Sequence, residues 1–159
     1  MHVVSGLERW WAGGERLPLT LSGVGREIFV RRMGAGPTMT LLHGFPSSSH
    51  DWAKMALLLA ERHSLLLVDF LGFGASEKPA EHEYSLHEQA DLVEALWSRE
   101  GVGASVVVAH DYGVSVTQEL LARDAEGSLE VELRGVHLLN GGLYPCLLYT
   151  SPSPRDRQK

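Results

Sequence analysis

The chain has 159 residues, 44% of them hydrophobic, with 14 Lys+Arg against 20 Asp+Glu and a single Cys. That length accommodates one domain with a real core, the apolar fraction excludes a disordered chain, and no apolar run reaches the roughly 18 to 20 residues of a membrane span. A net charge of −6 without a Lys/Arg stripe argues against nucleic acid as a partner, and the lack of a secretory signal or a second Cys makes a reducing cytoplasm the expected location.

Leu17 to Ser22 alternates apolar and polar residues, and Arg26 to Arg32 is β-branched and aromatic between glycines. The two read as an antiparallel edge pair. Thr38 to Leu42 is a short apolar run of the kind buried on both faces of a parallel sheet. Asp51 is placed to cap a helix in which Trp52, Met55, Leu58 and Leu59 share a face. Leu65 to Val68 is the next buried strand. Ser85 opens a capping box with Glu88, after which Leu86, Ala90, Val93 and Trp97 recur at helical spacing until Gly101 stops the helix. Ser105 to Ala109 is a strand, Val114 to Arg123 a helix with Val114, Thr117, Leu120 and Leu121 on one stripe, and Gly135 to Leu139 a last strand.

Strands alternating with helices of this length imply right-handed βαβ crossovers and an α/β fold: a mostly parallel sheet with an antiparallel N-terminal pair and helices on both faces. Ligands in such sheets bind beyond the carboxyl ends of the strands. The chain divides into a body, residues 1–145, and a tail, 146–159, whose Pro, Ser and charged residues show no periodicity. The stretch from Cys146 to Asp156 resembles the translated adapter used in preparing sequencing libraries, which makes the tail non-native or disordered and sets it outside fold reasoning.

Three loops at strand ends carry the polar residues of interest. His43-Gly44-Phe45-Pro46 follows the third strand. Gly44 permits close backbone approach and Pro46 fixes chain direction, so the Phe45 N–H is available to an oxyanion, although the same residues also suit an ordinary turn. Ala109-His110-Asp111-Tyr112-Gly113 passes directly from strand to helix, with small residues two before and two after Asp111, as a sharp strand-to-helix elbow requires. A carboxylate at that apex, near the positive end of a helix, is either a nucleophile or a helix cap. The upstream His43 loop, two βα units away, favours the nucleophile. Asp69 to Ser76 lacks the third Gly of a dinucleotide fingerprint, and reads as a turn in which Asp69 and Ser76 bond the backbone and brace the pocket floor. Ser115 falls inside a helix and is not expected to be a nucleophile. The His residues show no metal-ligand spacing, and His50, His63, His82, His87 and His137 read as surface or satisfied structural residues. Neither a metal nor another cofactor is expected.

Together, His43-Gly44-Phe45-Pro46, Asp69 to Ser76 followed by Lys78-Pro79, and His110-Asp111-Tyr112-Gly113 resemble the α/β-hydrolase superfamily, in the branch with an Asp nucleophile that holds epoxide hydrolases and haloalkane dehalogenases. Within it, Leu41 to Trp52, Asp69 to Pro79 and Leu139 to Pro145 are similar to the hydrolases related to the mesoderm-specific transcript protein.

The resemblance implies that Asp111 attacks an electrophilic carbon of a small apolar substrate, an epoxide or halogenated alkane, to give an alkyl-enzyme ester. The Phe45 and Tyr112 amides would then hold the oxyanion when water attacks that ester, with His43, Gly44, Pro46, Asp69, His110 and Gly113 in support. Phe45 and His110 are similar to epoxide-hydrolase residues where dehalogenases usually carry Asn and Gln, and Tyr112 stands where both classes usually carry Trp. In the family a His after the last strand activates water, an acid orients that His, and a helical cap polarises the substrate. Asn140-Gly141-Gly142 supplies no acid. The resemblance therefore implies the N-terminal portion of a hydrolase, truncated before the cap and last strands and not competent for turnover. The rival reading is a non-catalytic binding or scaffolding protein of the same fold.

Overall fold

A computed structural model describes residues 5–142; the tail, 146–159, lies outside the described residues. The elements run α1 (Gly6–Ala12), β1 (Glu15–Leu21), β2 (Val24–Met33), β3 (Thr38–Leu42), α2 (Ala53–Leu59), β4 (Ser64–Val68), α3 (Leu86–Glu100), β5 (Ala104–His110), α4 (Tyr112–Ala125) and β6 (Glu132–Leu139). The strands form one sheet in the order β1-β2-β4-β3-β5-β6. Strands β1 and β2 are antiparallel to each other, and β2 is antiparallel to β4. The pairs β3–β4, β3–β5 and β5–β6 are parallel. This is the α/β arrangement expected, with every anticipated strand present and its limits within three residues of those expected.

Each face of the sheet buries its own core. Alternate residues of β1 and β2, among them Leu17, Leu19, Ile28 and Val30, pack with Leu92, Leu96 and Trp97 of α3 and with Val114 and Leu120 of α4. The opposite face gathers Phe29, Met39, Leu41, Leu65 and Leu67 against Trp10 of α1 and Trp52 and Ala56 beside and within α2. One buried polar chain crosses the first core: the Trp97 indole N–H donates to Thr40 Oγ1 at 2.8 Å, and Thr40 Oγ1 lies 2.9 Å from Ser105 Oγ. β6 closes the sheet on one side, and none of its residues is buried.

Three local expectations need correction. A short 3₁₀ turn, Ser49–Trp52, precedes α2, so Asp51 lies inside that turn and the Ser48 hydroxyl is the cap. On α2 itself Ala56 is the buried residue, while Met55 and Leu58 are 49% and 70% exposed, so they do not share the face of Trp52. At α3 only half of the capping box forms. Ser85 Oγ accepts the Glu88 N–H at 3.1 Å, but the Glu88 carboxylate accepts from His82 Nε2 at 2.7 Å. The complete box is at α1, where Ser5 and Glu8 bond reciprocally. That helix was not anticipated, although Ser5-x-x-Glu8 is its sequence signal.

Candidate active site

β5 ends at His110 and α4 begins at Tyr112, so a single residue, Asp111, makes the turn. It does so at φ 50° and ψ −111°, a conformation that strains a residue with a side chain by about 1–3 kcal/mol. The surrounding backbone holds it there. The Asp111 N–H donates to Leu139 O and the Gly113 N–H to His43 O, each at 3.0 Å. A Cβ on Gly113 would sit 2.8 Å from the backbone oxygens of both Leu42 and His43, so only glycine lets the new helix pass this close to β3.

Asp111 occupies the N-cap of α4, yet its side chain makes no capping bond. Its Oδ1 instead accepts the N–H of Phe45 at 2.7 Å, across 66 positions of sequence. Gly44 makes that approach possible. A Cβ there would come within 2.7 Å of Asp111 Cβ and 2.9 Å of His110 Nδ1. The Phe45–Pro46 peptide is cis. Tyr112 is the first residue of α4, so its N–H has no acceptor within the helix. The Phe45 N–H is thus engaged with Oδ1, and the Tyr112 N–H has no acceptor within its own helix.

His43 anchors the loop from beneath. It is fully buried, and its Nε2 accepts the Phe70 N–H at 3.0 Å while Nδ1 lies 2.8 Å from Gly44 O. Since Phe70 N can only donate, Nε2 is the bare nitrogen and Nδ1 carries the proton. Burial pushes the imidazole pKa down, only partly offset by the Gly44 carbonyl and by Asp69 and Asp51, so the ring is neutral near pH 7.

Asp69 does the equivalent for the neighbouring loop. Its Oδ1 accepts the Ser49 N–H and its Oδ2 the Ala75 N–H, both at 2.7 Å. Ser76 Oγ donates to Asp69 O at 2.5 Å and accepts the Phe29 N–H at 2.8 Å, as a bracing turn requires. Gln89, which the sequence pattern did not single out, adds a two-point grip on Leu71: its Oε1 accepts the Leu71 N–H at 3.1 Å and its Nε2 donates to Leu71 O at 3.0 Å.

These two loops and the start of α4 border an open cavity of about 570 Å³ whose walls include Phe45, Pro46, Phe73, Tyr84 and Tyr112. Phe73 is the aromatic centre, 6.1 Å from Phe45 and 5.7 Å from Tyr112 between ring centroids. Burial, with Glu88 adding to it, pushes the Tyr112 phenol pKa up, so the hydroxyl stays protonated across the neutral range. Of the residues predicted for the site, Phe45, Pro46 and Tyr112 line this cavity. His43, Gly44, Asp69 and Gly113 support it from behind. His110 lines a second hollow of about 370 Å³ with Asp51, Trp52, Met55, Leu139 and Asn140. Phe73 and Tyr84 are wall residues that sequence reasoning missed. Both lie in turn segments with no periodicity to reveal them.

A model of the alpha/beta hydrolase fold family matches residues 37–151, and the chain belongs to that family. It is 49% identical over 138 residues to LipZ of Mycobacterium tuberculosis, covering 86% of this chain and 46% of LipZ. It is 44% identical over 117 residues to the human mesoderm-specific transcript homolog protein, covering 71% of this chain and 35% of that protein. Matches to proteins named haloalkane dehalogenase, from Bradyrhizobium diazoefficiens, and epoxide hydrolase, from Caballeronia sordidicola, are each 31% identical, covering 63% and 57% of this chain and 33% and 28% of theirs. Among solved structures, an alpha/beta hydrolase fold protein from Burkholderia ambifaria aligns with a TM-score of 0.70 at 30% identity, covering 99% of this chain and 51% of that one. The chain therefore spans about half the length, or less, of the relatives it matches.

Proposed function

We propose that the chain carries the nucleophilic part of a hydrolase that opens an epoxide or a carbon–halogen bond through an ester on Asp111. The observation that carries this reading is the Asp111 carboxylate at the strained elbow, bonded to the Phe45 amide and making no cap bond to its own helix. Because Oδ1 is held by that amide, Oδ2 is the attacking atom. Its lone pair forms the C–O bond as the C–halogen bond breaks and halide leaves. With an epoxide, the ring C–O bond breaks and the alkoxide takes a proton from a donor in the pocket or from water.

In the resulting ester Oδ1 is the carbonyl oxygen, already in contact with the Phe45 donor, and the Tyr112 N–H is the second donor we propose for it. Attack of water on the ester carbon would place the negative charge on that same atom, where each such donor is typically worth about 2.7–4 kcal/mol. Water must first be activated. Both ring nitrogens of His43 are engaged, so His43 does not serve as that base. We propose that this chain stops at the ester. The apolar, aromatic cavity suits a small apolar electrophile. The rival reading, in which Asp111 only caps α4, finds no capping bond in its favour.

Halide release tests the reading. With a 1-bromoalkane the chain should release about one equivalent of bromide per molecule and then stop, and Asp111→Asn should release none above background. Continuing steady-state release would refute the halt at the ester. Equal release by both proteins would refute the nucleophile.

A further inference from the structure

The wall of the cavity contributed by Tyr84 is held by a set of contacts that the chemistry at Asp111 does not require. The Tyr84 ring lies over Gly72, where a Cβ would come within 2.7 Å of its Cε1, so a glycine is needed for the ring to lie there. Its hydroxyl donates to Pro79 O at 3.0 Å. The His82 ring stands nearly perpendicular to it at 4.7 Å between centroids.

His82 is in turn fixed at both nitrogens. Arg26 can only donate, so the 3.4 Å contact from its guanidinium makes His82 Nδ1 the acceptor. Nε2 therefore carries the proton that bonds Glu88 at 2.7 Å. Glu88 is the residue whose carboxylate would ordinarily close the capping box of α3. Here it is diverted to His82, leaving Ser85 to cap alone. Arg26 is itself anchored by Glu77 at 2.9 Å. Thus β2, the turn after β4 and the first turn of α3 converge on one imidazole, and that imidazole supports one face of the cavity.

Resting on the reading of the cavity as a substrate pocket, we propose that Tyr84 determines specificity by packing against an aromatic or extended group on the substrate, and that His82 is the positioning residue that fixes Tyr84 for it. The phenol is committed to Pro79, so Tyr84 offers the substrate its ring and not its hydroxyl. Offset and edge-on aromatic contacts of this kind supply a preference of up to about tenfold.

The test has two arms on the intact chain. The first is reversible binding of benzyl alcohol, followed by NMR titration, which requires no reaction. Tyr84→Ala should weaken it about tenfold, Tyr84→Leu nearly as much, and Tyr84→Phe by no more than about twofold. His82→Ala should weaken it severalfold, with His82→Gln recovering part of the loss by restoring the bond to Glu88. The second arm is the rate of ester formation with styrene oxide against propylene oxide. The preference for the aryl substrate should fall in the same order, with the His82→Ala loss appearing in the half-saturating concentration and not in the limiting rate. Unchanged benzyl alcohol affinity in both Tyr84→Ala and Tyr84→Leu would overturn the role of Tyr84, and unchanged affinity in a folded His82→Ala would overturn that of His82. If no ester forms in the wild-type chain, the assignment of Asp111 falls and the binding series still decides the role of the wall.

Discussion

Phe45 donates its backbone N–H to the Asp111 carboxylate at 2.7 Å, so a loop after β3 reaches the side chain at the elbow after β5. That bond divides the two carboxylate oxygens into one that is held and one that is free. It depends on Gly44, the residue between the buried His43 and Phe45.

Gly44→Ala should therefore disable the site with a smaller effect on the fold. The new methyl would contact Asp111 Cβ at 2.7 Å and His110 Nδ1 at 2.9 Å, forcing the loop away from Asp111. The rate of ester formation should drop by at least about tenfold, because a carboxylate displaced from its attacking position, even by about 1 Å, can lose up to about 10²-fold. Stability should fall by about 1–2 kcal/mol, the cost of an overpacked contact. Parallel alkylation kinetics and urea denaturation measure the two effects.

Asp69→Ala should act chiefly on the fold. It strands the Ser49 and Ala75 N–H groups, both of which bond the carboxylate at 2.7 Å, in a place where Asp69 is fully buried. Leaving buried donors unpaired costs about 1–3 kcal/mol each. The urea midpoint should shift down accordingly, and an unshifted midpoint would show that water replaces the carboxylate without loss.

The state of His43 predicts a pH dependence. Burial lowers its pKa in the folded protein, so between the folded value and the unfolded value of about 6.5 the unfolded chain binds more protons. The resulting stability is fully present above about pH 6.5 and is lost as pH falls through the lower folded value. Urea midpoints measured over this range should decline more steeply for the wild type than for His43→Gln, which cannot titrate there. Parallel declines would count against a neutral, buried imidazole.

Trp97→Phe should remove the bond from the indole to Thr40, 2.8 Å long and wholly buried, and leave a small cavity between α3 and the sheet. The combined loss is about 2–4 kcal/mol. Adding Thr40→Val should recover little of it, since Thr40 Oγ1 also bonds the buried Ser105 Oγ at 2.9 Å and the second change removes that partner.

Much of this was legible in the sequence. Short apolar runs marked β3, β4 and β5 because buried strands have no polar side, the run that marked β6 proved to be an edge strand with no buried residue, and the small residues around Asp111 marked the elbow because few residues survive such a turn. Resemblance to a known family then supplied roles that spacing alone left open. What escaped were contacts without periodicity: the seat of Tyr84 on Gly72, the grip of Gln89 on Leu71 and the diversion of Glu88 to His82. Each is made by a side chain that, read locally, has an ordinary use. Glu88 is the clearest case, since its position three residues after Ser85 fits a capping box that only half forms. On α2 the apolar spacing of Met55 and Leu58 suggested burial, yet both face outward.

The central claim is that Asp111 is a nucleophile, and the mass of the protein tests it most directly. After incubation with styrene oxide, the intact chain should gain the mass of one substrate molecule, peptide mapping should place it on Asp111, and Asp111→Asn should gain none. A wild-type chain that stays unmodified, or an adduct that persists in Asp111→Asn, would contradict the account.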